Sequence, residues 1–504
     1  MIRISLRRLF PEASFVGGAD LAVAEATADS RQCTPGCLFA VIQGRRDAGQ
    51  RYVEEAIARG ATALLCSAPI AAPVPQCVVP NVRQAYAELC QALHGSPSQK
   101  LGLVGVTGTN GKTTVSWMVR SILEQAGKPT GVLGTIHYHD GIESAPSELT
   151  TPDSRSLAKW LAAMADKRTG YAAIELSSHA LDQYRPAGIA LDVAIITNIT
   201  QDHFDYHFHY ENYRSAKSRV LQMLKPGGLV LFNADDPGSE SLISHSPMGS
   251  QVCTFGIKRE ADLSARILEL TTRHSSFEIQ AGLERVTVTM GLIGRHNISN
   301  ALAAAGAALH FGVSLPEIKA GLEQLTSIPG RMQRVEADKF DVFVDYAHTD
   351  DALRRAVTTL REVSRGRVIC VFGAGGDRDA SKRALMGRSA SLAHQVVVTS
   401  DNPRGEDPHQ IIQEICAGLR GVGVSPHVEP DRELAIAWAL KDARPGDAVL
   451  IAGKGHETVQ IIGQEKFPFD DVAVCERLLA GTPMSGPHWD GILSGMEVQH
   501  ADRR

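Results

Sequence analysis

"GLVGVTGTNGKTTVSWMV", residues 102–119, decides how this chain is read. An apolar run suited to a buried strand leads into a glycine-rich turn, and a helical stretch follows as far as Gly127, a fitting stop. The general phosphate-binding loop asks for Gly, four residues, then Gly-Lys-Ser/Thr. Gly111-Lys112-Thr113 supplies the end, but Val106 stands where the first glycine belongs, with Gly105 and Gly108 on either side. Amides freed by glycine, added to a helix N-terminus, form a concavity for phosphate oxygens. Lys112 would then reach the β and γ phosphates, and Thr113 would hold Mg²⁺. The stretch reads as a nucleotide site with its glycine displaced.

The surrounding sequence sets the scale. At 504 residues the chain is too long for one core, so about three domains are expected. It is 43% hydrophobic and 21% charged, as soluble globular proteins are. A formal charge of -5 gives no reason to expect nucleic acid as a partner. The basic start has no apolar run before Pro11, so no secretion signal is expected, and no stretch suits a membrane span. A cytoplasmic location follows. Of the nine cysteines only Cys33 and Cys37 lie close, without a second pair at zinc-like spacing, so reduced thiols are expected.

Strands and helices alternate through most of the chain. Residues 1–98 read as a small mixed α/β unit, closed by the polar linker "SPSQK" (96–100). In 99–330, "LGLVGVT", "YAAIEL", "DVAIITNI" and "GGLVLFNA" alternate with helical stretches, which indicates a parallel sheet covered on both faces. "SIPGRMQRV" (327–335) reads as a junction, and 331–482 as a second doubly wound unit. The tail, 483–504, lacks periodicity and is expected to be loosely ordered. The expectation is therefore an α/β protein of three domains, with a central P-loop-type parallel sheet and a C-terminal Rossmann-like sheet.

"TGTNGKTT" resembles the Mur ligase superfamily, which includes folylpolyglutamate synthase and uses G-T-x-G-K instead of the general spacing. Other stretches carry the same resemblance in order: "ELSSHALDQYR" (175–185), "TNITQDHFDYH" (197–207), "GRHNISNALAA" (294–304), "PGRMQRV" (329–335), "VDYAHT" (344–349), "GAGGDRD" (373–379), "TSDNPR" (399–404) and "GKGHE" (453–457). They resemble the branch that adds the third residue of the peptidoglycan stem peptide. The resemblance implies an ATP-dependent ligase that uses Mg²⁺ and joins meso-diaminopimelate to the D-Glu carboxylate of UDP-MurNAc-L-Ala-D-Glu. A monomer is expected.

Site residues follow position by position. ATP would meet Gly108, Thr109, Asn110, Gly111, Lys112, Thr113 and Thr114, with Asn297, Arg331 and Asp345, and with His348 on the same nucleotide-facing segment. The uridine-binding segment would use Ser30 and the loop Arg45, Arg46 and Asp47; the muramoyl dipeptide would meet Thr150, Thr151, Ser177, Gln183 and Arg185. Glu175, at the end of a buried strand, is a candidate Mg²⁺ ligand beside Thr113. His203, Asp205, His207 and His209 could suggest zinc, yet a loop beside a phosphate site favours Mg²⁺. The resemblance makes His203 the ligand and leaves His207 and His209 as surface or supporting positions. Lys217, on residues alone part of a solvated basic face, is implied to be carbamylated by CO₂ (an N6-carboxylysine), giving a carboxylate for a second Mg²⁺. Lys112, Lys217 and His203 form the implied catalytic set.

Diaminopimelate would meet Arg378, Asp401, Asn402, Pro403, Arg404, Gly453 and Glu457. "DNPR" is the form of members that use diaminopimelate, which carries one more carboxylate than lysine; a guanidinium can grip it bidentately. Lysine would leave Arg404 buried and unpaired, at a cost of roughly 2–5 kcal/mol. The same ligase using L-lysine is the near alternative. A P-loop regulatory module without ligation is the distant one, and it gives no reason for the C-terminal motifs. Two positions depart from the family pattern: Asp350 replaces a proline, where it would cap a helix, and "DYHF" replaces "DYHG".

Overall fold

The computed structural model describes residues 3–44, 49–200, 202 and 204–482, with only the backbone of Asp205. Three larger sheets follow one another along the chain. The N-terminal sheet has the order Ser14–Val16, Gln76–Val78, Ala63–Cys66, Leu38–Ala40, Ala26–Thr27, parallel apart from its first strand. Its helix Val82–Leu93 buries Tyr86, Leu89 and Cys90 against Leu38 and Leu65, and Ala158 of the next domain joins that cluster.

The central sheet has eleven strands. Seven are parallel, in the order Thr130–Leu133, Tyr171–Glu175, Gly102–Thr107, Leu191–Ile196, Leu224–Asn233, Gln251–Gly256, Leu263–Leu270. Side-chain alternation decides what each face meets. Val104, Val106, Val193 and Ile195 pack on helices Lys112–Gln125 and Arg295–His310, while Leu103, Ala194 and Ile196 face the opposite core. Both cores exclude water, so these strands read as continuous apolar runs. Antiparallel strands flank the parallel block: His137–His139 and Ser144–Pro146 at one edge, Ser275–Ala281 and Glu284–Met290 at the other. The register pairs Glu175 with Val106 and Ile196 with Thr107, so the C-terminal ends of the three middle strands share one edge.

The C-terminal sheet runs Gln333–Val335, Asp341–Asp345, Ala448–Ala452, Val368–Phe372, Gln395–Val398, His427–Val428, parallel after its first strand. Separate cores on its two faces make it doubly wound. A hairpin, Val459–Ile462 with Glu465–Pro468, lies beside the C-terminal edge of its strands and bridges Arg404 through Ile462.

One expected detail changes. Thr349, not Asp350, caps helix Asp350–Val363, its side chain accepting from Ala352 N–H; Asp350 takes the first helical position, where an acid suits the dipole. Phe208, the residue in the "DYHG" glycine position, adopts φ 64, left-handed backbone that glycine enters more easily. All nine cysteines are free thiols. No helix among the described residues is long and apolar enough to cross a membrane.

Candidate functional site

The phosphate loop joins strand Gly102–Thr107 to helix Lys112–Gln125, and its geometry explains the displaced glycines. Gly108 has φ 150, and a Cβ there would lie 1.9 Å from Thr197 Oγ1. Gly111 has φ 88, and a Cβ would lie 2.5 Å from Asn300 Oδ1. Segment Thr197–Thr200 braces the loop from the neighbouring strand: Thr109 N–H donates to Asn198 O (2.8 Å), and Thr197 Oγ1 donates to Asn110 O (2.6 Å). No side chain caps the fourteen-residue helix that follows, which leaves its first amides and its dipole for an anion.

Lys112 folds back on the loop, donating to Gly108 O (2.8 Å) and Thr109 O (3.0 Å). Burial pulls its ammonium below the ordinary lysine range, with Glu175 pulling the other way. Glu175 is fully buried and well partnered. Thr113 Oγ1 donates to its Oε2 (3.0 Å), and Thr135 donates through N–H to Oε1 (2.9 Å) and through Oγ1 to Oε2 (2.9 Å). Arg331 reaches across from the domain junction to Thr113 Oγ1 (3.1 Å), its guanidinium stacked 4.7 Å from the Tyr346 ring. Lys217, also buried, donates to the same Gly108 carbonyl as Lys112 (2.7 Å) and lies 4.6 Å from the Tyr213 ring centre. Burial, with Lys112 nearby, holds its ammonium well below the usual lysine range.

Of these groups, Lys112, Thr113, Glu175 and Arg331 line a cleft of about 340 Å³ whose other wall the C-terminal domain forms; Lys217 lies outside its lining. Thr109–Thr114, Thr150, Glu175, Ser177, Asn297, Arg331, Asp345 and His348 all face it. Burial raises the Asp345 carboxyl above its usual range, with Arg331 opposing; its Oδ2 accepts from Met332 N–H (2.7 Å). Several contacts join the two walls. Asp351 Oδ2 accepts from Asn110 Nδ2 (3.0 Å) and Thr200 Oγ1 (3.3 Å), and Lys382 pairs with Asp202 at 2.8 Å.

His296 and Asn300 also line the cleft, although the sequence reading assigned them nothing. Asn300 Nδ2 donates to Asn297 Oδ1 (3.2 Å), and the three-residue spacing on a helix face could have flagged it. Burial lowers the His296 imidazole to about 4, so it is neutral near pH 7. Thr151 and Ser177 bond each other, and Arg185 holds Gln183 Oε1 and reaches Thr151 O (3.3 Å). Ser30 lies in the N-terminal domain, bonded to Glu55 Oε2 (2.7 Å). Arg45, Arg46, Asp47 and His203 lie outside the described residues. Among the described residues, no three His, Cys, Asp or Glu side chains gather as a metal cluster.

The remaining candidates meet at the C-terminal edge of the third sheet. Asn402 Nδ2 donates to Glu457 Oε2 (2.9 Å), and Gly453, with φ 116, presses so closely on Asp401 that a Cβ would sit 2.6 Å from Oδ2. Arg404 occupies left-handed backbone, φ 52, with Nη1 donating to Gly376 O (2.8 Å). It is half-buried, where a 2–5 kcal/mol penalty for an unpaired guanidinium assumed full burial. Water can reach part of it, so the penalty shrinks. Arg378 is exposed beside it. Underneath, the fully buried Arg432–Asp471 pair ties Ser400 O and Ala452 O together, fixing the two loops that carry Asn402 and Gly453.

The chain is similar to known proteins along most of its length. The chain matches the Mur ligase family catalytic domain over residues 23–94, the Mur ligase middle domain over 106–308 and the Mur ligase glutamate ligase domain over 330–455. It is 42% identical over 456 residues to the UDP-N-acetylmuramoyl-L-alanyl-D-glutamate–2,6-diaminopimelate ligase of Geobacillus kaustophilus (strain HTA426), covering 88% of this chain and 92% of that protein. The protein of the same name from Gloeobacter violaceus (strain ATCC 29082 / PCC 7421) is 43% identical over 458 residues, covering 90% and 93%. A solved structure of a ligase of that name is 31% identical, with TM-score 0.69 over 95% of this chain and 99% of that one. MurF ligase from Thermotoga maritima in complex with ADP is 17% identical with TM-score 0.60, covering 91% and 96%, a likeness of fold alone.

Proposed function

Because the chain belongs to the Mur ligase family, we propose that it joins meso-2,6-diaminopimelate to the D-Glu carboxylate of UDP-MurNAc-L-Ala-D-Glu, using ATP, in cytoplasmic peptidoglycan precursor synthesis. One observation carries the reading furthest: the phosphate loop and the junction residue Arg331 share a cleft with the C-terminal domain, whose sheet edge bears Asn402, Arg404 and Glu457. A phosphate module without ligation needs only the first wall.

A carboxylate resists attack by an amine because it is negatively charged and offers only oxide as a leaving group. Its oxygen therefore attacks the γ-phosphorus of ATP; the bond to the β-γ bridging oxygen breaks, ADP leaves and an acyl phosphate forms. The amine nitrogen then adds to the acyl carbon, and the tetrahedral intermediate expels phosphate with loss of a proton. The protein's contribution to phosphoryl transfer is placement and charge. Lys112, the helix amides after Gly111 and Arg331 hold the phosphates, while Thr150, Thr151, Ser177, Gln183 and Arg185 hold the muramoyl dipeptide. Ser30, Arg45, Arg46 and Asp47 serve its uridine end. Asn297 and Asp345 border the nucleotide. The closing cleft shields the acyl phosphate from water.

The Thr113 hydroxyl and the buried Glu175 carboxylate, both hard oxygen donors beside the phosphate loop, suit Mg²⁺, which neutralises phosphate charge when bound. His203 would join them. Lys217 would supply a further carboxylate as its carbamate. That modification needs a neutral amine, which burial favours here; nitrogen attacks the CO₂ carbon, an electron pair moves to oxygen, and the nitrogen releases a proton. All these groups come from one chain, so a monomer suffices.

ADP release by the purified chain with UDP-MurNAc-L-Ala-D-Glu and a panel of diamino acids tests the proposal. Dependence on meso-diaminopimelate is expected. ADP release indifferent to every diamino acid would sink it.

A further inference from the structure

Lys454, in the turn after strand Ala448–Ala452, is fully buried, and the reaction scheme above gives it no task. A buried ammonium is costly unless its charge is paired and its protons find acceptors. Lys454 Nζ has three: Val459 O at 2.5 Å, Asn402 Oδ1 at 3.2 Å and Glu457 Oε2 at 3.3 Å. They belong to three segments, the flanking hairpin, the "DNPR" loop and the lysine's own turn.

The bonding fixes which way the Asn402 amide faces. An ammonium only donates, and Ile461 N–H donates to the same Oδ1 at 3.0 Å. A flipped amide would set its NH₂ against two donors. Oδ1 is therefore held inward and Nδ2 outward, against Glu457 Oε2 at 2.9 Å. Glu457 is fixed in the same way, its Oε2 accepting from both Nδ2 and Nζ. Among the described residues, Glu457 Oε1 and the second Nδ2 proton carry no hydrogen bond. An anionic acceptor thus stands beside an amide donor. An amino-acid end, with its ammonium and carboxylate, needs such a pair.

We propose that Lys454 is a positioning residue for the incoming amino acid, setting Asn402 and Glu457 in the one orientation that receives an ammonium and a carboxylate together. The inference rests on the reading of Asn402 and Glu457 as amino-acid contacts. The hairpin is tied to the same loop a second time, Ile461 O accepting from Arg404 N–H at 3.1 Å.

The test is steady-state kinetics of full-length Lys454→Met, each of the three substrates varied in turn, beside a thermal melt. KM for diaminopimelate should rise about 10- to 100-fold, the worth of one charged hydrogen bond. KM for ATP and for the muramoyl nucleotide should stay within about twofold of wild type, because the phosphate loop and Arg331 are untouched. If Lys454→Met does not fold, Lys454→Arg, which keeps the charge but cannot place three protons on the same acceptors, is read the same way. An unchanged KM for diaminopimelate, or equal changes for all three substrates, overturns the proposal. A wild-type chain with no diaminopimelate-dependent ADP release would instead refute the ligase reading.

Discussion

Arg404→Ala separates diaminopimelate from lysine. Nη1 of Arg404 is spent on Gly376 O at 2.8 Å and, more weakly, on Asn402 O at 3.5 Å. The edge formed by Nε and Nη2 carries no bond among the described residues, and it is the edge that meets a carboxylate through two parallel N–H donors. Hydrogen bonds to charged groups are worth roughly 1.5–3 kcal/mol, and solvent access to a half-buried guanidinium favours the lower end. The expected loss in kcat/KM with meso-diaminopimelate is therefore about 10- to 100-fold. L-Lysine lacks the distal carboxylate and should lose little. Arginine and alanine both carry a Cβ at φ 52, so the left-handed strain is common to wild type and variant, and any residual backbone effect falls on both substrates alike. The ratio of the two kcat/KM values is thus the quantity to read, from phosphate release at saturating ATP and UDP-MurNAc-L-Ala-D-Glu. Arg404→Lys, which keeps the charge and loses the fork, should fall between. Equal losses with both amino acids, or a wild-type enzyme that uses both equally well, would refute the reasoning.

Lys112→Met should abolish ADP formation while the melt stays close to wild type, since the side chain's acceptors are only backbone carbonyls of its own loop; near-normal turnover would count against the phosphate site. Lys217→Ala should lose at least about 100-fold in kcat. Added short carboxylates should restore part of that, and rescue by amines alone would mean that the lysine works as a cation. Arg432→Met leaves the Asp471 carboxylate buried without its partner and should destabilise the fold by about 3–5 kcal/mol; the double variant with Asp471→Leu should recover most of this, as read from denaturant midpoints.

Much of the fold was legible because its causes are local. Parallel strands covered on both faces must be apolar throughout, so "LGLVGVT" and "DVAIITNI" announce themselves. Ser275–Ala281 and Glu284–Met290 do not, being the last two strands of the sheet, where buried residues alternate with half-buried or exposed polar ones. Gly108 and Gly111 betray a phosphate loop because only glycine tolerates those torsions so close to Thr197 and Asn300. The identity of the neighbours was beyond the sequence. Thr113 meets Glu175 across 62 residues and Arg331 across 218, and nothing local links them; strand order and the domain junction do. Lys454 makes the same point. In sequence it is a lysine between two glycines, indistinguishable from a solvated one, and only the closure of a hairpin over its turn removes the water and gives its three protons to Val459, Asn402 and Glu457.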